Sequence, residues 1–430
     1  MPELTANMRH QLLQTRTAQG EGRLHNPHHV FEAFRVEGPL NLARLAQAWE
    51  RVQSRHAVLR MAFELDTLTA VPARNPAARL ETRILSPQMN EGEALEVLQG
   101  CVRAPYDLSR GPLARLVVLP LEADQALLAI CAEHVVCDSW SQLVLLNELW
   151  ACYADPAASQ PEPTEQFTSH ARAENDWLAS ADGRRKVAER ARQLDGVGPL
   201  PEVVLPGCQT RTETPQLAET REVEFTLDAK RTAALKSRGA ALGLTVGALT
   251  QAAFSAVLAQ LAGRTSIGVV LSTANRFRPQ VRRTVGWISN KIVVPARLRH
   301  DPASGDYLFD FAEDQATALD YSTIPFATML QAMQPEMFGA LTSYPWVGYN
   351  PQPVGMARYF PTTVPPELTV TSRTIHSGWN EKSLVAYATV DPHGILRGSI
   401  AYKPFWYTEV TVTGICEEMK KLYEQWITLG

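Results

Sequence analysis

An unbroken apolar run, Ala126 to Ala132, constrains the fold of this chain more than any other stretch. With no polar position on either side of the pleat, such a run is a strand covered on both faces, central in its sheet. It leads into Glu133-His134-Val135-Val136-Cys137-Asp138-Ser139, and a second apolar run, Leu143 to Leu146, follows. Strand, loop and helix in that order place His134 at a strand end, with Asp138 at the start of the next element. Strand ends in α/β sheets are where ligand crevices form. Histidine titrates nearest neutrality and so suits proton handling. The His-x-x-x-Asp spacing alone is unspecific, so its surroundings decide its meaning.

The same period-reading organises the rest of the chain. Asn41 to Val52 carries Leu42, Leu45, Ala46, Trp49 and Val52 at helical spacing, with Asn41 as N-cap. Phe31 to Val36 and Leu113 to Leu121 predict strands, the second entered through a Gly111-Pro112 turn. Gln125 to Ala132 predicts a central strand, Ser141 to Tyr153 a helix and Asp155 to Pro163 a loop. Gly183 to Leu194 predicts a basic helix. Pro199 to Gln216 is rich in Pro, Thr and Gly without periodicity, which marks a linker. Beyond it, Arg221 to Leu227, Ile267 to Leu271 and Ile395 to Tyr402 predict strands. Thr245 to Ala262 predicts a small-residue helix ended by Gly263, and Glu409 to Ile427 an amphipathic one. A chain of 430 residues can hold two cores. Helices and strands alternate in both halves, which argues for two α/β lobes, residues 1–195 and 196–430.

Composition removes several function classes. The net charge of −4 supplies no global basic field for nucleic acid. No apolar run reaches the roughly 18 residues of a membrane span. The start, Met1-Pro2-Glu3-Leu4, lacks the basic and apolar regions of a signal peptide. The six cysteines are scattered without a Cys-x-x-Cys pair, which reads as reduced thiols in a cytoplasmic protein. His25, His28 and His29 lie in a Pro/Asn stretch without nearby Cys or Asp, a solvated loop rather than a zinc site. There is no Gly-x-Ser-x-Gly elbow and no Gly-rich phosphate loop.

Several segments together resemble one family, the condensation domains of nonribosomal peptide synthetases, within the chloramphenicol acetyltransferase-like superfamily. Glu37-Gly38-Pro39-Leu40-Asn41 followed by Arg55-His56-Ala57-Val58-Leu59-Arg60 resembles the family's first helix and its Arg-His-x-x-Leu-Arg ending. Tyr106-Asp107-Leu108-Ser109-Arg110-Gly111-Pro112-Leu113 resembles the segment just upstream of the active-site strand. Glu133 to Ser139 is similar to the His-His-x-x-x-Asp-Gly motif. Ala274-Asn275-Arg276-Phe277-Arg278-Pro279 is similar to Asn-Arg-x-Arg-Pro, and Val285 to Asn290 to Val-Gly-x-Phe-x-Asn. The segments keep the family's order and approximate spacing. The set is specific for fold and superfamily, and less so for substrate.

The resemblance implies two acetyltransferase-like lobes of α/β (α+β sandwich) type, forming a V-shaped pseudo-dimer with a tunnel at their interface. The first lobe would carry His134, and the second a floor loop and a bridging strand. His134 is implied as the catalytic residue, acting as general base or orienting the nucleophile and stabilising developing charge. Asp138 is implied as a structural residue paired with Arg276. Trp287 and Asn290 are implied at the tunnel floor, with Glu133, Ser139 and Trp379 as further lining candidates. His376 to Asn380 falls in the bridging-strand region without a close match, and Tyr344 to Pro351 is placed near the acceptor side.

The implied function is that of a free-standing condensation enzyme of natural-product, antibiotic-type biosynthesis. It would transfer an acyl or aminoacyl group from a carrier-protein phosphopantetheine thioester to an amine, giving an amide. No adenylation or carrier module is expected on the chain, so the acyl or peptidyl carrier protein would be met in trans, and the acceptor is a free or carrier-bound amine. No permanently bound cofactor or metal, no nucleic acid, no membrane and a monomer are expected. Ester formation and use of a coenzyme A thioester are alternatives. Another is a catalytically silent module that recruits carrier proteins or tailoring enzymes. The basic run Arg184, Arg185, Lys186, Arg190 and Arg192 reads as a solvated helix face, or as a dock for an acidic carrier protein.

Two positions depart from the motif. Glu133 stands for its first histidine and Ser139 for its glycine. In a strand Glu133 and His134 point to opposite sides, which places Glu133 in a structural network. Were the chain bent there, its carboxylate would favour protonated His134. The Ser139 hydroxyl is positioned to cap the following helix.

Overall fold

The doubly apolar run lies in a strand, Gln125–Glu133, at the middle of a five-stranded sheet. The computed structural model of the chain describes residues 3–21, 28–75, 79–86, 88–121, 124–157, 163, 165–197, 205, 208, 220–338, 347–351, 364–375 and 382–429. In chain order its elements are α1 (Ala6–Gly20), β1 (His29–Glu37), α2 (Leu42–Arg55), β2 (Met61–Glu64), β3 (Thr69–Pro72), β4 (Leu80–Thr82), α3 (Glu91–Arg103), β5 (Ala114–Pro120), β6 (Gln125–Glu133), α4 (Ser139–Ala154), α5 (Phe167–Ala179) and α6 (Ala181–Gln193). They continue with β7 (Arg221–Leu227), α7 (Ala229–Ala240), α8 (Val246–Leu261), β8 (Ser266–Thr273), β9 (Asn290–Arg297), α9 (Gly305–Asp320), α10 (Phe326–Met333), β10 (Val347–Pro351), β11 (Thr369–Arg373), β12 (Leu384–Val390), β13 (Leu396–Tyr402) and α11 (Glu409–Thr428).

The chain divides into two compact units. One comprises Met1–Ser180, Arg276–Ser289 and Tyr359–Ser377, the other Ala181–Asn275, Asn290–Arg358 and Gly378–Gly430. The sequence places one boundary between 195 and 196; the structure places α6 in the second unit and returns two later segments to the first. β11 returns because it pairs antiparallel with the edge of β1, from Ala33↔Arg373 to Glu37↔Thr369. The segment 276–289 returns because Arg276 pairs with Asp138. Closures between residues so far apart leave no periodic trace along the chain.

In the first unit the strand order is β11-β1-β6-β5-β4. Leu128, Ile130 and Ala132 of β6 enter the core under α2 and α4. Leu127, Ala129 and Cys131 enter a second core under α3. That two-sided cover is why the run has no polar position. Asn41 caps α2, accepting from the Arg44 amide at 3.0 Å, and α2 buries Leu45, Trp49 and Val52 on one stripe. Each such side chain contributes about 1.5–3 kcal/mol on burial.

The second unit has the order β7-β13-β12-β10-β8-β9. α8, capped by Thr245, lies across β12, β8 and β9 with α11, α7 and α9 around it. The described part of the aromatic segment, Val347–Pro351, is β10, parallel to both β12 and β8. Its Tyr349 is buried in the core. Residues 344–346 and 376–381, with Trp379 among them, lie outside the described residues, as does most of Pro199–Gln216.

Candidate functional site

β6 ends at Glu133, and the chain makes a single tight turn, His134–Val136. Val135 and Val136 point into the core and anchor that turn. The His134 amide donates to the His28 carbonyl at 2.6 Å, extending the β1–β6 pairing by one bond. Cys137 is extended, and Asp138 becomes the N-cap of α4, its Oδ1 accepting from the Ser141 amide at 2.8 Å. Ser139 is exposed in the first turn of α4. The helix is capped by Asp138, one residue earlier than the sequence suggested, because Asp138 is extended and its carboxylate meets the N3 amide, that of Ser141.

Asp138 is the centre of the site. Its carboxylate receives Arg276 through Nη1 at 2.8 Å and Nη2 at 2.9 Å, both side chains being fully enclosed. It also accepts from the Ser141 hydroxyl at 2.7 Å and from the amides of Ile288 at 3.0 Å and Ser289 at 2.7 Å. Burial opposes ionisation here, but the Arg276 charge and the bonds from Arg276, Ser141 and Ser289 outweigh it and hold the carboxyl below its ordinary range. Arg276 reaches further, to the carbonyls of Thr284 at 3.2 Å and Gly286 at 3.3 Å. Asn275 before it takes φ +53°, a left-handed conformation that asparagine tolerates.

Gly286 is required. A Cβ there would lie 2.0 Å from a ring carbon of Phe167, and φ is +153°. Its amide donates to Ser141 Oγ at 3.0 Å. The next residue, Trp287, is half-buried and meets the His134 ring, with centroids 4.5 Å apart and planes at 60°.

Glu133 faces the other way. It is buried, accepts from Gln11 Nε2 at 2.9 Å and lies 3.4 Å from His29 Nε2. His29 Nδ1 is 2.8 Å from the Val102 carbonyl, which can only accept, so that nitrogen carries the proton. Burial raises the Glu133 carboxyl above its ordinary range, with His29 and Gln11 opposing. Enclosed on these sides, Glu133 is not a lining residue. His29, read from the sequence as part of a solvated loop, opens β1 with its side chain 3% exposed.

Asn290 is also enclosed. Its amide donates to the carbonyls of Ser322 at 2.8 Å and Ile324 at 2.6 Å, and its Oδ1 accepts from the Phe326 amide at 2.9 Å. It organises the turn into α10 instead of lining a passage. Arg190 likewise leaves the solvated face assigned to it. Buried, it donates to the Val293 carbonyl at 2.6 Å, and burial lowers its pKa to about 10. Arg185 of the same helix is paired on the surface with Asp182 and Glu189.

Three contributors were not singled out in the sequence. Ser141 joins the two loops, and Phe167 presses on Gly286. His170 on α5 is pushed down to about 4, first by burial and then by Arg278 and Arg276. Arg55 and His56 of the early motif bind Glu148 of α4 at 3.0 and 2.9 Å and so hold that helix. Among the described residues no three His, Cys, Asp or Glu side chains gather as a metal set, and no helix is long and apolar enough to cross a membrane.

Comparison with known proteins follows from this geometry. The family profile of the condensation domain matches residues 11–429. Malpinin synthetase of Mortierella alpina is 26% identical over 322 residues, 73% of this chain but 4% of that protein. The chain thus spans a small part of the length of the large synthetases it matches. The X-domain from teicoplanin biosynthesis superposes with a TM-score of 0.85 at 19% identity, over 99% of this chain and 94% of that one. The same domain solved in complex with OxyB gives a TM-score of 0.81 at 19% identity, over 99% and 93%. The first condensation domain of the calcium-dependent antibiotic synthetase, solved with a substrate analogue, gives 0.73 at 20% identity, over 99% and 96%. These likenesses establish the fold as the two-lobed, chloramphenicol acetyltransferase-like fold of condensation domains.

Proposed function

The chain belongs to the condensation-domain family of nonribosomal peptide biosynthesis, and we propose that it transfers an acyl or aminoacyl group from a carrier-protein phosphopantetheine thioester to an amine. The amine nitrogen attacks the thioester carbonyl, a C–N bond forms and the C–S bond breaks. The proton lost by the amine ends on the leaving thiolate. His134 is the residue placed to take part. The observation that carries this reading is the single carboxylate of Asp138, which fixes both the loop bearing His134 and the loop bearing Trp287. Such clamping supplies a fixed side chain at a strand end, and positioning can supply much of a rate when both reactants are held together. Glu133 and Ser139 displace neither His134 nor Asp138. The phosphopantetheine arm belongs to the carrier protein, and the reaction uses it as substrate.

A second reading is recruitment without catalysis. The X-domain's complex with OxyB favours it, as do the two departures from the motif. Mass spectrometry of product from an acyl carrier thioester and an amine, with wild type beside His134→Ala, separates the two. His134→Ala is expected to lose about two to four orders of magnitude in rate while carrier binding persists. Product at the wild-type level from that variant removes His134 from the chemistry. Carrier binding with no product from either protein favours recruitment.

A further inference from the structure

Trp287 meets the His134 ring because one carboxylate fixes both. His134 precedes Asp138 on the first loop. On the second, the two residues after Trp287 donate their amides to Asp138, at 3.0 and 2.7 Å. The residue before it, Gly286, donates to Ser141 Oγ at 3.0 Å and is pressed against Phe167. The backbone of Trp287 is therefore fixed on both sides, and its indole lies 4.5 Å from the imidazole, centroid to centroid. The two rings meet edge to face, and an indole face is electron-rich and attracts a cation more than any other side-chain ring. The carboxylates that flank His134 along the chain are engaged with other partners. Glu133 on β6 faces His29 on β1, and Asp138 at the head of α4 faces Arg276. His170 on α5 is uncharged near neutrality.

We propose that Trp287 is a positioning residue for His134, orienting its ring and favouring its protonated form. His134 then works chiefly as an imidazolium beside the developing charge. It gives a proton to the thiolate as the C–S bond breaks, and the neutral imidazole so formed takes up the proton lost by the amine, which restores the imidazolium. The purpose of the contact rests on the amide-forming reading; the contact's effect on the ring does not.

The test is the pKa of His134, followed by NMR titration of the full chain labelled with ¹⁵N-histidine, the resonance being assigned by its loss in His134→Gln. Trp287→Leu is expected to lower that pKa by about half a unit, and Trp287→Phe, which keeps an aromatic face, by less. A purely structural role would change thermal stability and leave the titration where it was. An unchanged His134 pKa in folded Trp287→Leu overturns the proposal. Should the leucine variant not fold, Trp287→Met, which also lacks an aromatic face, decides by the same criterion. Because no turnover is needed, a lowered pKa in a chain that forms no amide would count against the functional reading alone.

Discussion

Glu133 and Asp138 stand at the two ends of one short motif, both buried, and their carboxyls move in opposite directions. Glu133 is raised by burial, although His29 and Gln11 act against it. Asp138 is lowered, although burial acts on it as well. The difference is the number and kind of donors. Asp138 has a guanidinium gripping both oxygens, a hydroxyl and three backbone amides. Glu133 has an amide side chain and an imidazole at 3.4 Å. Burial alone therefore says little about a carboxylate; the preorganised donors around it decide its charge. A carboxylate met by many preorganised donors ties remote segments together, whereas one met by few is shifted upward by burial and ties little.

The sharpest way to break this comparison is to remove the charge at Asp138. Asp138→Ala leaves Arg276 buried without its partner and should cost about 3–5 kcal/mol in denaturant unfolding. Loss of activity in that variant is then a folding effect and does not identify a catalytic group. A cost near that of an exposed residue would mean the carboxylate is not the clamp described.

Glu133→Gln should cost far less, about 1 kcal/mol or under, because an amide of the same shape replaces a group already held toward neutrality. Acidity sharpens the contrast, with opposite signs at the two positions. The stability Asp138 contributes is present above its unfolded value of 3.8 and is lost as pH falls through its lowered folded value. The contribution of Glu133 is present below its unfolded value of 4.5 and is lost as pH rises through its raised folded value. Glu133→Gln should therefore gain stability relative to wild type as pH is raised from 4.5, measured as unfolding free energy at a series of pH values. A flat difference would show that Glu133 is no more perturbed than a surface acid.

The smallest effect belongs to Ser139→Gly, which restores the family's residue. Asp138, not Ser139, caps α4, and Ser139 is exposed. A change within about 0.5 kcal/mol is expected in the same unfolding experiment. A loss near 1 kcal/mol or more in Ser139→Ala would assign the cap to the serine, because glycine replaces a capping serine at a cost of only a few tenths.

Much of the local structure was legible. The two-sided apolar run is β6, Asn41 caps α2, the helix predicted over Thr245 to Ala262 is α8, and Gly263 follows it with φ +63°. The opposite orientations of Glu133 and His134 follow from strand alternation. The partner of Glu133 was not legible, because His29 precedes the strand predicted for its segment and only the β1–β6 register sets it opposite. Nor was the role of Asn290, whose partners lie on the turn between α9 and α10. Arg190 reads as one of a basic run until Val293 and Tyr321 are seen to enclose it.

The sequence by itself determined the periodic elements and the motif order, since spacing along the chain sets which side chains share a face. Tertiary structure alone decided which unit each later segment joins, in which direction each of two neighbouring buried acids is shifted, and which ring His134 meets. Those outcomes depend on donors and apolar surface brought together from distant parts of the chain. Asp138 is the clearest case: Ser141 of its own helix contributes, but Arg276 and Ser289, which complete its set of donors, come from a distant segment of the chain.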